Sequence, residues 1–546
     1  MKHIKLFWII IVVLYSGCAK PAHLYATDTT IVFENTTARI NGQGADFSNG
    51  ILTINQAGTY ILSGRLDNGR ILTNIARTDT VQLVLNNVSL HSDSGPAIYS
   101  PRSREIIIIL QDNTQNTISD GTRSRNDDQN SAIFVQHSLI IQGNGTLNVN
   151  GNFHHGIRAQ DFLTINSGTI NVTALGDALR GRDGVIINNG RFTLNAGGDG
   201  IQSNNPNSSD VGYVTITGGI FYINAGNDGI QAESTLTITG GTFNIVCGGG
   251  SANAAPRPAS FNRGGRGWQP PQVQTSESDS MKALKARVLV NIQGGNFTID
   301  AADDGIHSDR DIHISGGVFT IKTGDDGIHA DNNVLISGGN INIIESYEGI
   351  EGMTVTITGG NIRVFARDDG INAAGGRTRN DMYIRITGGT IDVHVPGSGD
   401  TDGFDSNGNI FLEGGTLRIS GGSQIMSGAI DLDGQFLITG GQLITAGAIQ
   451  SVTPNSTQPV ILLSYTTLQP QGSVLALRDQ NGNTLLEYTS LTAFTISGFT
   501  SPQLRIGETY SLYINNQRRV DIRLNNMITR IGDNGGAYNE GRRGRW

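Results

Sequence analysis

Apolar and polar residues alternate along most of this chain in short runs, each opened by glycine. In Val318-Phe319-Thr320-Ile321 and again in Asn340-Ile341-Asn342-Ile343, every second side chain is apolar. That is the period of a strand with one buried face. Gly316-Gly317 and Gly338-Gly339 precede these runs, and the same marker stands at Gly218, Gly240, Gly294, Gly359, Gly388, Gly414 and Gly440. Such a pair permits the positive-φ backbone of a tight corner.

A second marker runs in phase with the first. Asp303-Asp304-Gly305-Ile306-His307 returns 22 residues later as Asp325-Asp326-Gly327-Ile328-His329. Tyr347-Glu348-Gly349-Ile350-Glu351 follows after another 22, and Asp368-Asp369-Gly370-Ile371-Asn372 after 21. Upstream the series includes Asp177-Ala178-Leu179, Asp199-Gly200-Ile201, Asp228-Gly229-Ile230 and Ala283-Leu284-Lys285. Downstream it continues through Asp402-Gly403-Phe404-Asp405 and Gly428-Ala429-Ile430-Asp431.

A unit this short cannot bury its own apolar face, but stacked copies can. Stacking places Ile306, Ile328, Ile350 and Ile371 above one another in a continuous core. Three short strands and three turns fill one coil, and parallel crossovers are right-handed. The pattern therefore predicts an all-β, right-handed parallel β-helix. At about 4.8 Å per coil, a dozen or so coils would span roughly 60 Å. The Leu-x-x-Leu-x-Leu signature of leucine-rich repeats and the Gly-Gly-x-Gly-x-Asp calcium nonapeptide are both absent.

Where the pattern fails, boundaries follow. Residues 19–50 are expected to form an N-terminal cap and 51–451 the β-helix. The Gly-, Pro-, Ser- and Asn-rich stretch at about 248–280 reads as an insertion between coils. Residues 452–530 lack the glycine marker and read as a small C-terminal β-unit, followed by a basic tail at 531–546. At the other end, Lys2 and Lys5 precede an apolar run from Leu6 to Leu14 and then Tyr15-Ser16-Gly17-Cys18. This predicts a signal peptide over 1–18, too short to span a membrane. Cys18 after Ser-Gly resembles a bacterial lipobox, despite Tyr15 where Leu is usual. The expectation is export and a lipid anchor on Cys18 to a membrane, at the cell surface or in the periplasm. The second cysteine, Cys247, is expected to be buried at a strand end, with no disulfide framework.

Composition narrows the class. The chain has 546 residues, 74 of them glycine and 13 proline, with no Gly-every-third period, so it is not collagen-like. Its formal net charge is −9, which argues against nucleic acid and for cations or cation-bridged acidic ligands.

The carboxylates are concentrated. With the coils in register, one column reads Asp177, Asp199, Asp228, Asp304, Asp326, Glu348, Asp369 and Asp402. Beside it stand Asp303, Asp325 and Asp368, interrupted by Tyr347. A third column reads His307, His329, Glu351, Asn372 and Asp405, and Asp309 and Asp331 lie one turn on. Ordinary Asp-Gly turn chemistry accounts for the single acids of the early coils. It accounts poorly for coils that bring several acids to one edge, where carboxylates about one strand spacing apart repel. Ca²⁺ takes 6–8 irregularly placed oxygens and suits such a cluster. Zinc through His307 and His329 is the alternative, but the excess of carboxylates favours calcium.

The Asp-Asp-Gly-Ile-His-(Ser/Ala)-Asp coils, the Gly-Gly strand starts and the coil Lys282-Ala283-Leu284-Lys285-Ala286 resemble a bacterial carbohydrate-binding domain family over roughly residues 50–450. The resemblance implies a pectate-lyase-like parallel β-helix that binds calcium and associates with polygalacturonate and cellulose. Calcium ligation carried over from it falls on Asp303, Asp304, Asp325, Asp326 and neighbouring acids. The leading expectation is a calcium-dependent binder of acidic polysaccharide, with His307, His329 and Tyr347 touching the ligand. A calcium-assisted polysaccharide lyase is the rival, and it needs a base. Lys322 is the best candidate, facing Asp300 one coil earlier, and Arg363 and Arg367 are weaker. The third reading is a structural surface protein or adhesin stapled by calcium.

Overall fold

The computed structural model describes residues 28–122, 128–208, 210–255, 280–399, 401–423 and 427–538. The expected signal peptide and Cys18 lie outside these residues, as do positions 256–279 of the expected insertion and 539–546 of the tail. The described chain is a parallel β-solenoid of about 14 turns. Among the described residues the one helical turn is Ser251–Asn253, and no helix is long and apolar enough to cross a membrane.

Each coil supplies strands to three stacks. In one central coil they are Ile306–Ser308, Asp311–Ile314 and Val318–Thr323, and the stacks they join are called here the first, second and third sheets. Ile306 pairs in parallel with Leu284 behind it and Ile328 ahead of it. Ile312 does so with Val290 and Val334, and Phe319 with Phe297 and Ile341. Like positions therefore lie over one another, as the repeat requires. Leu179, Ile201, Ile230, Leu284, Ile306, Ile328, Ile350 and Ile371 are fully buried. In the third sheet, the second residue after the corner glycine builds a stack of phenyl rings over five coils. Phe192, Phe221, Phe243, Phe297 and Phe319 lie nearly parallel, with centroids 4.6–4.8 Å apart. Cys247 is buried at the end of strand Thr242–Cys247.

The two glycine markers do different physical work. In Gly316-Gly317 the second glycine has φ +106°, and a Cβ there would lie 2.9 Å from the Phe319 ring. Gly305 of the Asp-Asp-Gly motif has no positive φ, yet a Cβ on it would sit 2.6 Å from the carbonyl oxygen of Gly327. The first marker turns the chain, and the second lets adjacent coils approach.

At the N-terminal end, Asp28–Asn35 pairs with Thr37–Asn41 as an antiparallel hairpin and with Gly58–Leu66 in parallel. At the other end the stacking stops when Phe494–Thr500 runs antiparallel to Gln442–Ala446. Val460–Gln469 then pairs with both Phe494–Thr500 and Ile528–Gly532. A separate four-stranded antiparallel sheet contains Thr484–Thr489, Val474–Arg478, Thr509–Ile514 and Gln517–Arg523. Its core, with Leu475, Leu477, Leu512 and Ile522, packs against Ile444 and Ala446 of the solenoid.

Candidate functional site

The turn entering the first sheet carries the carboxylate column, and its inner oxygens have a structural task. Asp177 Oδ1 accepts the backbone N–H of Asp199 at 3.1 Å, and Asp199 Oδ1 that of Asp228 at 3.0 Å. Asp304 does the same for Asp326 at 3.0 Å, Asp326 for Glu348 at 3.3 Å, and Asp369 for Asp402 at 2.8 Å. Asp402 Oδ1 accepts the N–H of Gly428. At the start of the series His155 Nδ1 accepts the N–H of Asp177 at 3.0 Å. A buried N–H needs a partner, and here each aspartate serves the coil that follows it. This corrects the expectation that turn chemistry explains only Asp177, Asp199 and Asp228. It explains one oxygen of most acids in the column, and the other oxygen faces side chains: Arg180 at Asp177, Gln202 at Asp199, His307 at Asp304 and His329 at Asp326.

The column also contains the amine of Lys282, which enters the sequence analysis only as part of a motif. Ile230 pairs with Leu284, so Lys282 stands between Asp228 and Asp304, and its spacing of 22 before Asp304 was the available signal. Its Nζ makes ion pairs with Asp303 and, at 3.2 Å, with Asp304 Oδ2. Burial acts to raise the Asp304 carboxyl, but Lys282 and His307 hold it well below the usual carboxylate range. Burial likewise acts to lower His307, yet the Asp304 and Asp309 carboxylates raise it to about 9. Both ring nitrogens are engaged, Nδ1 at 2.8 Å from Asp304 and Nε2 at 3.1 Å from Asp309. The imidazole is therefore a cation with no free lone pair at neutral pH.

Three groups of side chains bring potential ligand atoms within 4.8 Å of one another: Asp303 with Asp304 and Asp325, Asp304 with His307 and His329, and Asp326 with His329 and Glu351. These acidic and imidazole sets have the composition to hold a metal ion. His329 Nδ1 lies 3.3 Å from Asp326 Oδ2, and its Nε2 is 3.7 Å from Asp331. Toward the C-terminal end the column changes character, since Glu348 and Asp369 make no ion pair with Lys, Arg or His among the described residues. Burial, then Glu351 and Asp368, push the Glu348 carboxyl up to about 8. Burial, then Asp405, with Glu348 and Asp368 adding, push Asp369 up to about 9. Asn372 Nδ2 donates to Glu348 Oε2 at 3.0 Å.

The remaining expected residues fall into place around this edge. Along the first sheet Lys285, His307, His329, Glu351, Asn372, Asp405 and Asp431 occupy one outward column. The column changes from basic to acidic along the rod. Tyr347 is half-buried and tied by its N–H to the Asp325 carbonyl at 2.8 Å. Lys322 belongs elsewhere. It sits on the third sheet, and its Nζ is 3.4 Å from Glu345 rather than paired with Asp300, which accepts the N–H of Ser251.

Comparison with known proteins bears on what this edge serves. A family described as carbohydrate-binding domain-containing protein matches residues 48–327 and 325–458. A carbohydrate-binding domain-containing protein of Acetivibrio thermocellus is 31% identical over 166 residues. That match takes in 29% of this chain and spans 58% of the relative's length. A solved structure described as a polysaccharide lyase-like protein from C. thermocellum, as a gadolinium derivative, is 26% identical. It covers 50% of this chain and 94% of its own, with a TM-score of 0.37. Since the family match takes in the solenoid from residue 48 to residue 458, this chain belongs to the carbohydrate-binding domain-containing protein family.

Proposed function

We propose that the protein holds acidic polysaccharide of the polygalacturonate type through calcium seated on the first-sheet edge between Asp326 and Asp405. The observation that carries this reading is the convergence of Asp326, His329 and Glu351, whose ligand atoms lie within 4.8 Å of one another, beside Glu348 and Asp369, whose carboxyls burial and neighbouring acids push up. Buried carboxyls that neighbouring acids push up favour a nearby positive charge, and a divalent cation supplies it. The two groups that include Asp304 already have theirs, in Lys282 and protonated His307. The cation is therefore placed C-terminal to His307, with Asp326, Glu348, Glu351, Asp368, Asp369 and Asp405 as candidate oxygen donors and His329 at the margin. An oxygen-rich, irregular set of this kind fits calcium better than zinc.

Calcium with open positions bridges protein carboxylates to the carboxylates of a uronate chain. It removes the repulsion that an acidic protein and an acidic polymer otherwise feel. The repeat adds multivalency along the polymer. In this reading the chain is exported and anchored through Cys18, which puts the solenoid where such polymers are found.

Retention of the purified protein on immobilised polygalacturonate, with calcium and then with chelator, tests the proposal. The expected result is calcium-dependent retention, lost in Glu351→Gln combined with Asp369→Asn. Release of ultraviolet-absorbing unsaturated oligomers would replace the binder by a lyase. A melting point raised by calcium without any retention would leave only a structural role for the ion.

A further inference from the structure

A second concave site lies away from the acid edge. It is a cleft of about 360 Å³ lined by Arg363, Phe365, Asp392, His394, Arg418 and, from the opposite wall, residues Glu487 to Thr489 and Leu491. One wall is the outer face of the third sheet. There Arg363, Asp392 and Arg418 stack in successive coils, and Phe365 and His394 stack beside them. The other wall is strand Thr484–Thr489 of the C-terminal unit. Tyr488 Oη lies 2.7 Å from Ser420 Oγ, and the Leu491 N–H donates to that same oxygen at 2.8 Å, so the two walls are bonded together.

The chemistry inside is that of a saccharide subsite. Arg418 forms a two-bond pair with Asp392, with Nη2 at 2.8 Å from Oδ2. Arg363 has no carboxylate partner among the described residues and lies over the Phe365 ring at 4.6 Å. The His394 ring meets Phe365 edge-on at 5.2 Å, and its buried Nδ1 has no hydrogen-bond partner. A cleft of this volume offers an apolar ring face, an unpaired guanidinium, an unsatisfied imidazole nitrogen and the Glu487 carboxylate. That set suits a pyranose with a carboxylate and several hydroxyls.

We propose that this cleft is a second, metal-independent site for a carboxylate-bearing saccharide, with Arg363 as the anion anchor and Phe365 and Tyr488 as the surfaces for the sugar ring. It rests on the carbohydrate-binding reading but not on the calcium. The third sheet leaves it on a different face of the rod from the acid edge, so one polymer or two can be engaged at once.

The test is calorimetric titration of the full-length protein, in chelator, with trigalacturonate and with the same oligomer after reduction of its carboxyls. Binding of the first and at least tenfold weaker binding of the second are expected. Arg363→Ala should weaken trigalacturonate binding at least tenfold without changing the melting temperature, because Arg363 is exposed. Thr489→Trp, at an exposed position on the opposite wall, should abolish binding by filling the cleft. No binding in chelator, or binding indifferent to both substitutions, overturns the proposal even if calcium-dependent retention persists. Failure of the calcium reading looks different: calcium then adds no retention, while the Arg363-dependent binding in chelator remains.

Discussion

Lys282 Nζ lies 3.2 Å from Asp304 Oδ2, an amine standing in a column where the flanking coils carry aspartate. Both side chains are largely buried, 14% and 4% exposed. Removing one partner of such a pair strands the other. Lys282→Met is expected to lower the stability of the metal-free protein by about 3 kcal/mol in denaturant titration. Calcium should then raise the unfolding midpoint of the variant more than that of the wild type, because the Asp303, Asp304 and Asp325 group has gained a vacancy for a cation.

Asp304 separates the two tasks of the column. Asp304→Asn keeps an oxygen for the Asp326 N–H but removes the charge. Asp304→Ala removes both and leaves a buried N–H unpaired, at about 1–3 kcal/mol. The alanine variant is therefore expected to melt lower than the asparagine variant. In both, the His307 pKa should fall from about 9 toward that of a free imidazole, read by NMR titration.

Acid should weaken the fold through His155 and Asp177. Burial holds His155 down to about 4, so between its unfolded value near 6.5 and 4 only the unfolded chain takes up the proton. Stability falls as pH drops through that window, by roughly 2–3 kcal/mol. Burial acts to raise Asp177, but the neighbouring His155 and Arg180, whose Nη1 donates to Oδ2 at 2.9 Å, hold it at about 2. Its contribution is present above its unfolded value and is lost as pH falls below that toward 2. His155→Asn, which keeps an acceptor for the Asp177 N–H, should flatten the upper part of the curve in unfolding experiments between pH 4 and 7.

Gly317→Ala should cost about 1–3 kcal/mol. The added methyl meets both a left-handed φ and the Phe319 ring. Thermal melting checks this, with the outward-facing Thr320→Ala as the comparison.

The coil was legible in the chain because its two glycine markers and its apolar alternation repeat in phase. Ile306, Ile328, Ile350 and Ile371 fall where the spacing puts them. The acid column was legible as a set of positions, but not as a division of labour. That Asp304 Oδ1 serves the next coil's N–H depends on vertical register at atomic distance, which spacing alone does not convey. Lys282 was named as part of a motif but not as a member of the acid column, because its coil was aligned on Ala283-Leu284-Lys285, not on the acid position. Lys322 stands beside Asp300 in the register, as the spacing puts it, but the bulge after Ile321 also brings Glu345 opposite it from the next coil, and the ion pair forms there. The cleft at Arg363 joins residues from distant parts of the chain, and no local pattern announces it.

The backbone ladder that holds each coil is made to the coil before and the coil after it. Duplication or loss of one whole coil therefore leaves each remaining junction unchanged, while a stray residue within a strand turns its core side chains outward. A longer irregular stretch fits at a corner, as 374–381 does before strand Tyr383–Ile386. The length of the rod can therefore change by duplication of a coil, with the backbone ladder at each junction kept.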